Sequence, residues 1–411
     1  MFEPDHKLRH LPFFEFLASR EEDDPQWRSA SAGVVVLRLV DAWANDGPAA
    51  LAADNWAVPN VRSAIAAVDR GTPIRSLLGR VVDAIEQEGA PIRNVMTRLM
   101  AYGQALEFDA HWTLAGDVYD TVLGHIDPIE DPDTAVTAQL SRGRCLVNLG
   151  ELADGAAAVD IAGDVATASN NLDGVLRSRI FRAKIAKQRG NYPEAEAILD
   201  ETIHRAADAG MEDVHSRALH ERSNLAHNRE HYELAIQIAY QALHRSQSNR
   251  ERDRILSDIA LSFLELGVYS AARDAYLVLS ATAQEQFVRW SSTLNLLEIA
   301  SLTGAETLFE LYRRQLANET LPPLMAAAFQ LSTGMAYRRF EKFDKAQAYL
   351  ERALTMAEER GFNRYVFEAE EALKNLRVAT TPPRVPATLS LDTREVASAM
   401  EQLREDLADV S

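Results

Sequence analysis

The densest run of side chains able to do chemistry is "LHERSNLAHNREH", Leu219 to His231. Six of the 10 histidines fall between His204 and His244. His227 and His231 stand four apart, a spacing that on one helix face would suit two metal ligands. A predicted turn separates them, so they do not share a face, and they read as surface or packing histidines. No metal and no cofactor is expected. Cys145 is the only cysteine, which excludes an intramolecular disulfide and a cysteine zinc site. It reads as a small buried apolar residue. The phosphate-binding, dinucleotide, nucleophile-elbow and metalloprotease signatures GxxxxGK[ST], GxGxxG, GxSxG and HExxH are all missing. Acidic runs such as "EPDH", "EEDD" and "EDPD" read as solvated loops. The expectation is a protein that is not an enzyme.

The totals narrow the partners. The net charge is −18, which argues against nucleic acid, because phosphate binding wants a basic face. "AGVVVLRLV" is interrupted by Arg38 and falls short of the ~18 apolar residues of a membrane span. "MFEPDHKLRHLPFFEF" lacks the regions of a secretion signal. A cytoplasmic protein is expected.

The elements that would carry a site follow a repeat. A turn, usually an aromatic, then an alanine recurs as "AHWTLA", "GELADG", "GNYPEA", "EHYELA", "GVYSAA" and "EKFDKA", with a degenerate "GAETLF". Ala110, Gly150, Gly190, Glu230, Gly267, Gly304 and Glu341 begin these units, spaced 40, 40, 40, 37, 37 and 37 residues apart. Seven residues upstream stand Gly103, Gly143, Ala183, Ser223, Ala260, Leu297 and Gly334, all small except Leu297. Four after the alanine comes a larger residue such as Tyr119, Leu199, Tyr276 or Leu350. These helical spacings describe a helix, a tight turn and an antiparallel helix, with small residues admitting close approach.

"GNYPEAEAILDET" and "EKFDKAQAYLERAL" resemble the tetratricopeptide repeat, although the period exceeds its usual ~34. The resemblance covers about two thirds of the chain and implies an all-α fold. That fold is an α-solenoid of about seven hairpins in a right-handed superhelix, with a helical N-terminal region and C-terminal capping helices. The expected organisation is an N-terminal helical region at 1–95, which includes two helices hinged at Gly71-Thr72-Pro73. Repeats follow at 96–361, a capping helix at 362–378, a proline-rich linker at 379–390 and an amphipathic helix at 391–411.

In the family, ligands lie on the concave side lined by the first helix of each hairpin. Carrying the family's groove positions onto this sequence selects Arg144, Arg177, Lys184, Lys187, Arg217, His220, Asn224, His227 and Arg254. Arg177, Arg217 and Arg254 would form a ladder suited to an acidic segment or a chain-end carboxylate. Local pairing is the competing reading, since "EDVHSR" and "ERDR" supply acids nearby. Later units put Leu261 and Leu264, then Leu331, Met335, Arg338 and Arg339, on the same side, an apolar pocket next to a basic stretch. Val396, Met400, Leu403, Leu407 and Val410 form a narrow apolar stripe that needs a partner. Three readings stand: folding back on the repeats, a homodimer through this helix, or disorder. Its acidity suggests that it occupies the groove as an autoinhibitor.

The leading function is a scaffold that binds a protein or peptide in the groove, without membrane or nucleic acid. Its layout is similar to that of the peptide-sensing regulators of bacterial quorum sensing, which control a response regulator or transcription. Those that act as phosphatases need a catalytic glutamine, and Gln26 and Gln87 here sit in no recognisable motif. A regulatory partner of a separately encoded enzyme is the third reading.

Overall fold

The structure, a computed structural model, describes residues 9–46, 57–87, 89–378 and 388–410; most of the expected linker lies outside them. Among the described residues there are twenty helices and no strand. The chain forms two units, 1–185 and 186–411.

The repeat turns are built identically. Ala110, Gly150, Gly190, Glu230, Gly267, Gly304 and Glu341 all have φ between 59° and 86°. This left-handed residue lets the next amide reach back to the carbonyl five residues earlier, as in His231 N to Ala226 O at 2.9 Å and Val268 N to Phe263 O at 2.9 Å. The helix end is thereby closed and the chain reversed in three residues. Glycine adopts this conformation at little cost, whereas Ala110, Glu230 and Glu341 hold it against side-chain sterics.

The small residues do what their spacing implies. A Cβ added at Gly103 would stand 2.6 Å from Tyr119, and one at Gly334 would stand 2.7 Å from Leu350. Tyr119 and Leu350 are fully buried. The larger residue of the second helix thus occupies the space that a side chain on the first would need.

In the first unit, α1 (Leu11–Ala18), α3 (Ala57–Ala67), α4 (Pro73–Glu86) and α6 (Trp112–His125) pack against α2 (Pro25–Asp46). Leu37, Val40, Leu78, Val82, Leu99 and Val118 belong to one buried cluster. The break between α3 and α4 falls at Gly71-Thr72-Pro73. The hairpins α5 (Ile92–Phe108) with α6, and α7 (Pro132–Asn148) with α8 (Leu152–Ala168), follow. Then comes α9 (Leu172–Gln188), where the unit boundary lies.

The second unit continues with α10 (Tyr192–Asp208). Four hairpins follow: α11 (Glu212–Asn228) with α12 (Tyr232–Arg245), α13 (Asn249–Glu265) with α14 (Tyr269–Thr282), α15 (Gln286–Leu302) with α16 (Glu306–Ala317), and α17 (Pro323–Arg339) with α18 (Phe343–Arg360). α19 (Asn363–Lys374) packs on the last of them, and α20 (Leu391–Val410) completes the unit. The first helices α11, α13, α15 and α17 pack on one another in succession. No comparable packing joins successive second helices among the described residues. The first helices therefore line the inner, concave side.

One expectation is overturned here. α20 does fold back on the repeats, but not into the groove. It lies on the second helices α12 and α14, with Val396 and Met400 buried in their core. The reason is geometric: second helices splay apart on the outside and leave a furrow that an apolar stripe fills. The autoinhibitory seat in the groove is not the observed one.

Candidate functional site

The first helices bring the sequence-selected residues to three kinds of place. The arginines stand beside acids. Arg177 is 3.6 Å from Asp173 and Arg217 is 3.4 Å from Asp213, each one turn away on its own helix. Arg254 donates to both oxygens of Glu285, which stands at the start of the next first helix, to Oε1 at 3.2 Å and to Oε2 at 3.0 Å. Arg144 donates to Glu107 at 2.6 Å, and Lys187 lies 4.0 Å from Glu221. Lys184 and Asn224 are half-buried on α9 and α11.

The histidines are structural bridges. His220 is only 6% exposed. It spans from α11 to α13, with Nε2 2.6 Å from Asp258 Oδ2 and Nδ1 3.0 Å from Glu251 Oε1. Burial disfavours its charge, but the two carboxylates outweigh burial and raise its pKa to about 9. His220 is thus an imidazolium at neutral pH whose nitrogens are both engaged. His227 Nδ1 lies 2.9 Å from Ser262 Oγ, its ring packs edge-on to Tyr232, and burial lowers its pKa.

What opens to solvent is a cavity of ≈ 580 Å³ further along, between α13, α15, α17 and α19. Leu261, Leu264, Leu294, Leu331 and Met335 form its apolar wall. Leu261, Leu264, Leu331, Met335 and Arg339 had a sequence signal, being apolar or basic at matching repeat positions. Arg338 does not line it; its guanidinium donates to Val378 O at 3.1 Å. The expected basic neighbour is also only half the picture. Glu265, Glu298 and Glu368 line the cavity together with Arg339 and Arg364. Arg339 stands 3.7 Å from Glu298 and donates to Ser301 Oγ at 2.9 Å, while Arg364 donates to Glu368 at 2.7 Å. Glu298 is pushed above the usual carboxylate range, chiefly by burial; Arg339 opposes this, and Glu265 and Glu368 add to it. Burial and, to a lesser degree, Arg338 lower the pKa of Arg339 despite Glu298. The wall is greasy and its rim carries both signs, with more carboxylates than guanidiniums. Sequence reasoning missed the three glutamates because they occupy different positions of the repeat.

A second polar cluster sits in the first unit. His10 Nδ1 lies 2.8 Å from Asp117, and Asp41 lies between His10 at 3.2 Å, His125 at 2.6 Å and Arg9 at 2.8 Å. Burial opposes the charge on His10, but Asp117 and Asp41 raise its pKa to about 9. This cluster ties the segment before α1 to α2 and α6. Among the described residues, no group of three or more His, Cys, Asp or Glu side chains is placed to hold a metal ion. Nor is any described helix long and apolar enough to cross a membrane.

No family model matches the sequence, and none of the curated proteins matches it. Solved structures with a similar arrangement include a Rap protein complexed with competence and sporulation factor. It is 12% identical, with 80% of this chain and 99% of that chain covered and a TM-score of 0.48. BtubC (BKLC) from P. vanneervenii is 13% identical, covering 77% and 95%, with a TM-score of 0.35. A circular tandem repeat protein with enhanced subunit contact surfaces is 14% identical, covering 96% of each chain, with a TM-score of 0.17. The chain is an all-α stack of consecutive helical hairpins, as its sequence repeat implies.

Proposed function

We propose that this chain is a cytoplasmic, non-enzymatic scaffold that binds a protein or peptide segment along the concave face of its second unit. The observation that carries this reading is the ≈ 580 Å³ cavity between first helices, with an apolar wall and a charged rim. Sites of this size and mixed lining suit a partly buried ligand with a few fixed polar contacts.

The surplus of carboxylates favours a segment with an apolar residue beside a cationic one. The apolar side chain would enter between Leu261 and Leu331, and the cation would meet Glu298. The acidic segment or chain-end carboxylate suggested by the arginines has weaker support, because Arg177, Arg217 and Arg254 do not line the cavity. The test is fluorescence anisotropy with three labelled octapeptides, alike except for a central Leu-Lys-Leu, Leu-Gln-Leu or Leu-Glu-Leu. The lysine peptide should bind tightest, and Glu298→Gln should narrow its lead over the glutamine peptide. Preference for the glutamate peptide would move the contact to Arg217 and Arg254. Failure of all three to bind, or binding untouched by Leu331→Asp, would refute the cavity as the site.

A further inference from the structure

We infer that α20 is a strap that sets the spacing of the hairpins α11–α12 and α13–α14, and through it the width of the cavity. The inference rests on the cavity being the binding site only as far as ligand affinity is concerned; its mechanical part stands without it.

The strap is fastened at both ends, and to different hairpins. At its start, the Glu233 carboxylate on α12 accepts Ser390 N–H at 2.9 Å and the Thr393 hydroxyl at 2.9 Å. These bonds lower the pKa of Glu233, so it holds the strap as a carboxylate. Further along, Arg404 stands 3.4 Å from Asp274 on α14, a side chain only 6% exposed. Between the two fastenings, Thr393 and Met400 are fully buried and Val396 nearly so. Met400 and Val396 join the same core as Ile236, Ala239, Ala275 and Leu279 from the two second helices. The furrow between α12 and α14 is thus spanned rather than closed by direct packing.

That placement has a lever arm. α14 is paired with α13, and α13 supplies Leu261, Leu264 and Glu265 to the cavity wall. Drawing second helices together on the outer side tilts their first helices apart on the inner side, because the hairpins are rigid and pivot on their mutual core. Strap docked, the cavity is held at its observed width; strap released, α13 is free to tilt back toward α11 and away from α15, which widens the cavity. Binding at the cavity and docking of the strap are then linked, each changing the equilibrium of the other by the same factor.

The test uses the full chain. Met400→Glu places a charge in the dry furrow and should release α20. Glu233→Gln loosens one fastening and leaves the apolar core intact. Hydrogen exchange should rise in α20, and also by about fivefold or more in α13 and α15, which α20 does not cover. The Leu-Lys-Leu octapeptide should lose affinity by a similar factor. Adding a synthetic peptide of residues 388–410 in trans should restore both, which separates release from unfolding. Glu233→Gln should move both readouts in the same direction by less. Faster exchange confined to α12, α14 and α20 would overturn the proposal and make α20 a passive cover. If no octapeptide binds the unaltered chain, the binding-site reading falls, while the exchange data still decide the strap.

Discussion

His220 Nε2 lies 2.6 Å from Asp258 Oδ2, tying two successive first helices through a buried imidazolium. Its pKa of about 9 exceeds the ordinary 6.5, so its contribution to stability is complete below pH 6.5 and is lost as pH rises through about 9. A shift of this size corresponds to roughly 3–4 kcal/mol. Urea unfolding of the second unit should weaken between pH 6.5 and 9.5, and His220→Gln should flatten that slope while lowering stability at pH 6. A slope unchanged in the variant would contradict the assignment.

The first unit should add a response at the acid end. Asp41 is held well below the usual carboxylate range; burial opposes this, and the bonds from His10, His125 and Arg9 outweigh it. A depressed carboxylate contributes stability above its ordinary pKa of 3.8 and loses it as pH falls. Asp41→Asn should therefore destabilise this unit at pH 6 and lessen its loss of stability below pH 3.8, as followed by hydrogen exchange in α1 and α2.

The close approach at Gly334 leaves no room for a methyl group. Gly334→Ala would bring a Cβ within 2.7 Å of Leu350 and 3.2 Å of the Ala346 carbonyl. The expected cost is about 1–3 kcal/mol of overpacking. Gly163→Ala is the control, since its Cβ would meet Ser178 at an ordinary 3.6 Å. There the gain in helix propensity, about 1 kcal/mol, should show as a raised urea midpoint.

Glu230 holds the left-handed turn position with φ 61°. Glu230→Gly should relieve ~1–2 kcal/mol of side-chain strain. It should return about 0.5–1 kcal/mol of that through the greater freedom of glycine in the unfolded chain. A net gain of a few tenths to about 1 kcal/mol is expected in denaturant titration. A loss would mean that the Glu230 side chain matters more than its backbone.

Burial pushes the Cys145 thiol up to about 12. It should be inert to a thiol reagent at pH 8 in the native chain and should react fully in urea, because the thiolate is the reactive form. The labelling rate then reports opening of the first unit.

The hairpins were legible because their packing is local. Gly103 against Tyr119 and Gly334 against Leu350 recur at fixed offsets, and all seven turn residues repeat one conformation. The charge pairing was partly legible and was read at the wrong positions. Arg142, Arg182 and Arg222, spaced by 40, pair with Asp120, Asp160 and Asp200 at 2.5, 2.5 and 2.9 Å. That ladder joins each second helix to the next first helix and lies 22 residues apart in sequence, an offset set by tertiary packing rather than by helical pitch. His220 and Arg144 likewise find carboxylates 38 and 37 residues away, close to one repeat. Testing for opposite charge one period apart would have exposed both. The cavity glutamates and the seat of α20 had no such signal, because they depend on how far the second helices splay.

The contact between Glu233 and Ser390 joins residues 157 apart. A stack of hairpins is ordinarily linear, each touching only its neighbours, and such a stack unravels from its ends. This contact closes the intervening chain into a ring, so the hairpins inside it have no free end from which to fray. Ring closure over that length is entropically costly unless the hairpins have already formed. α20 should therefore dock late in folding, and its departure should be the first step by which the second unit comes apart.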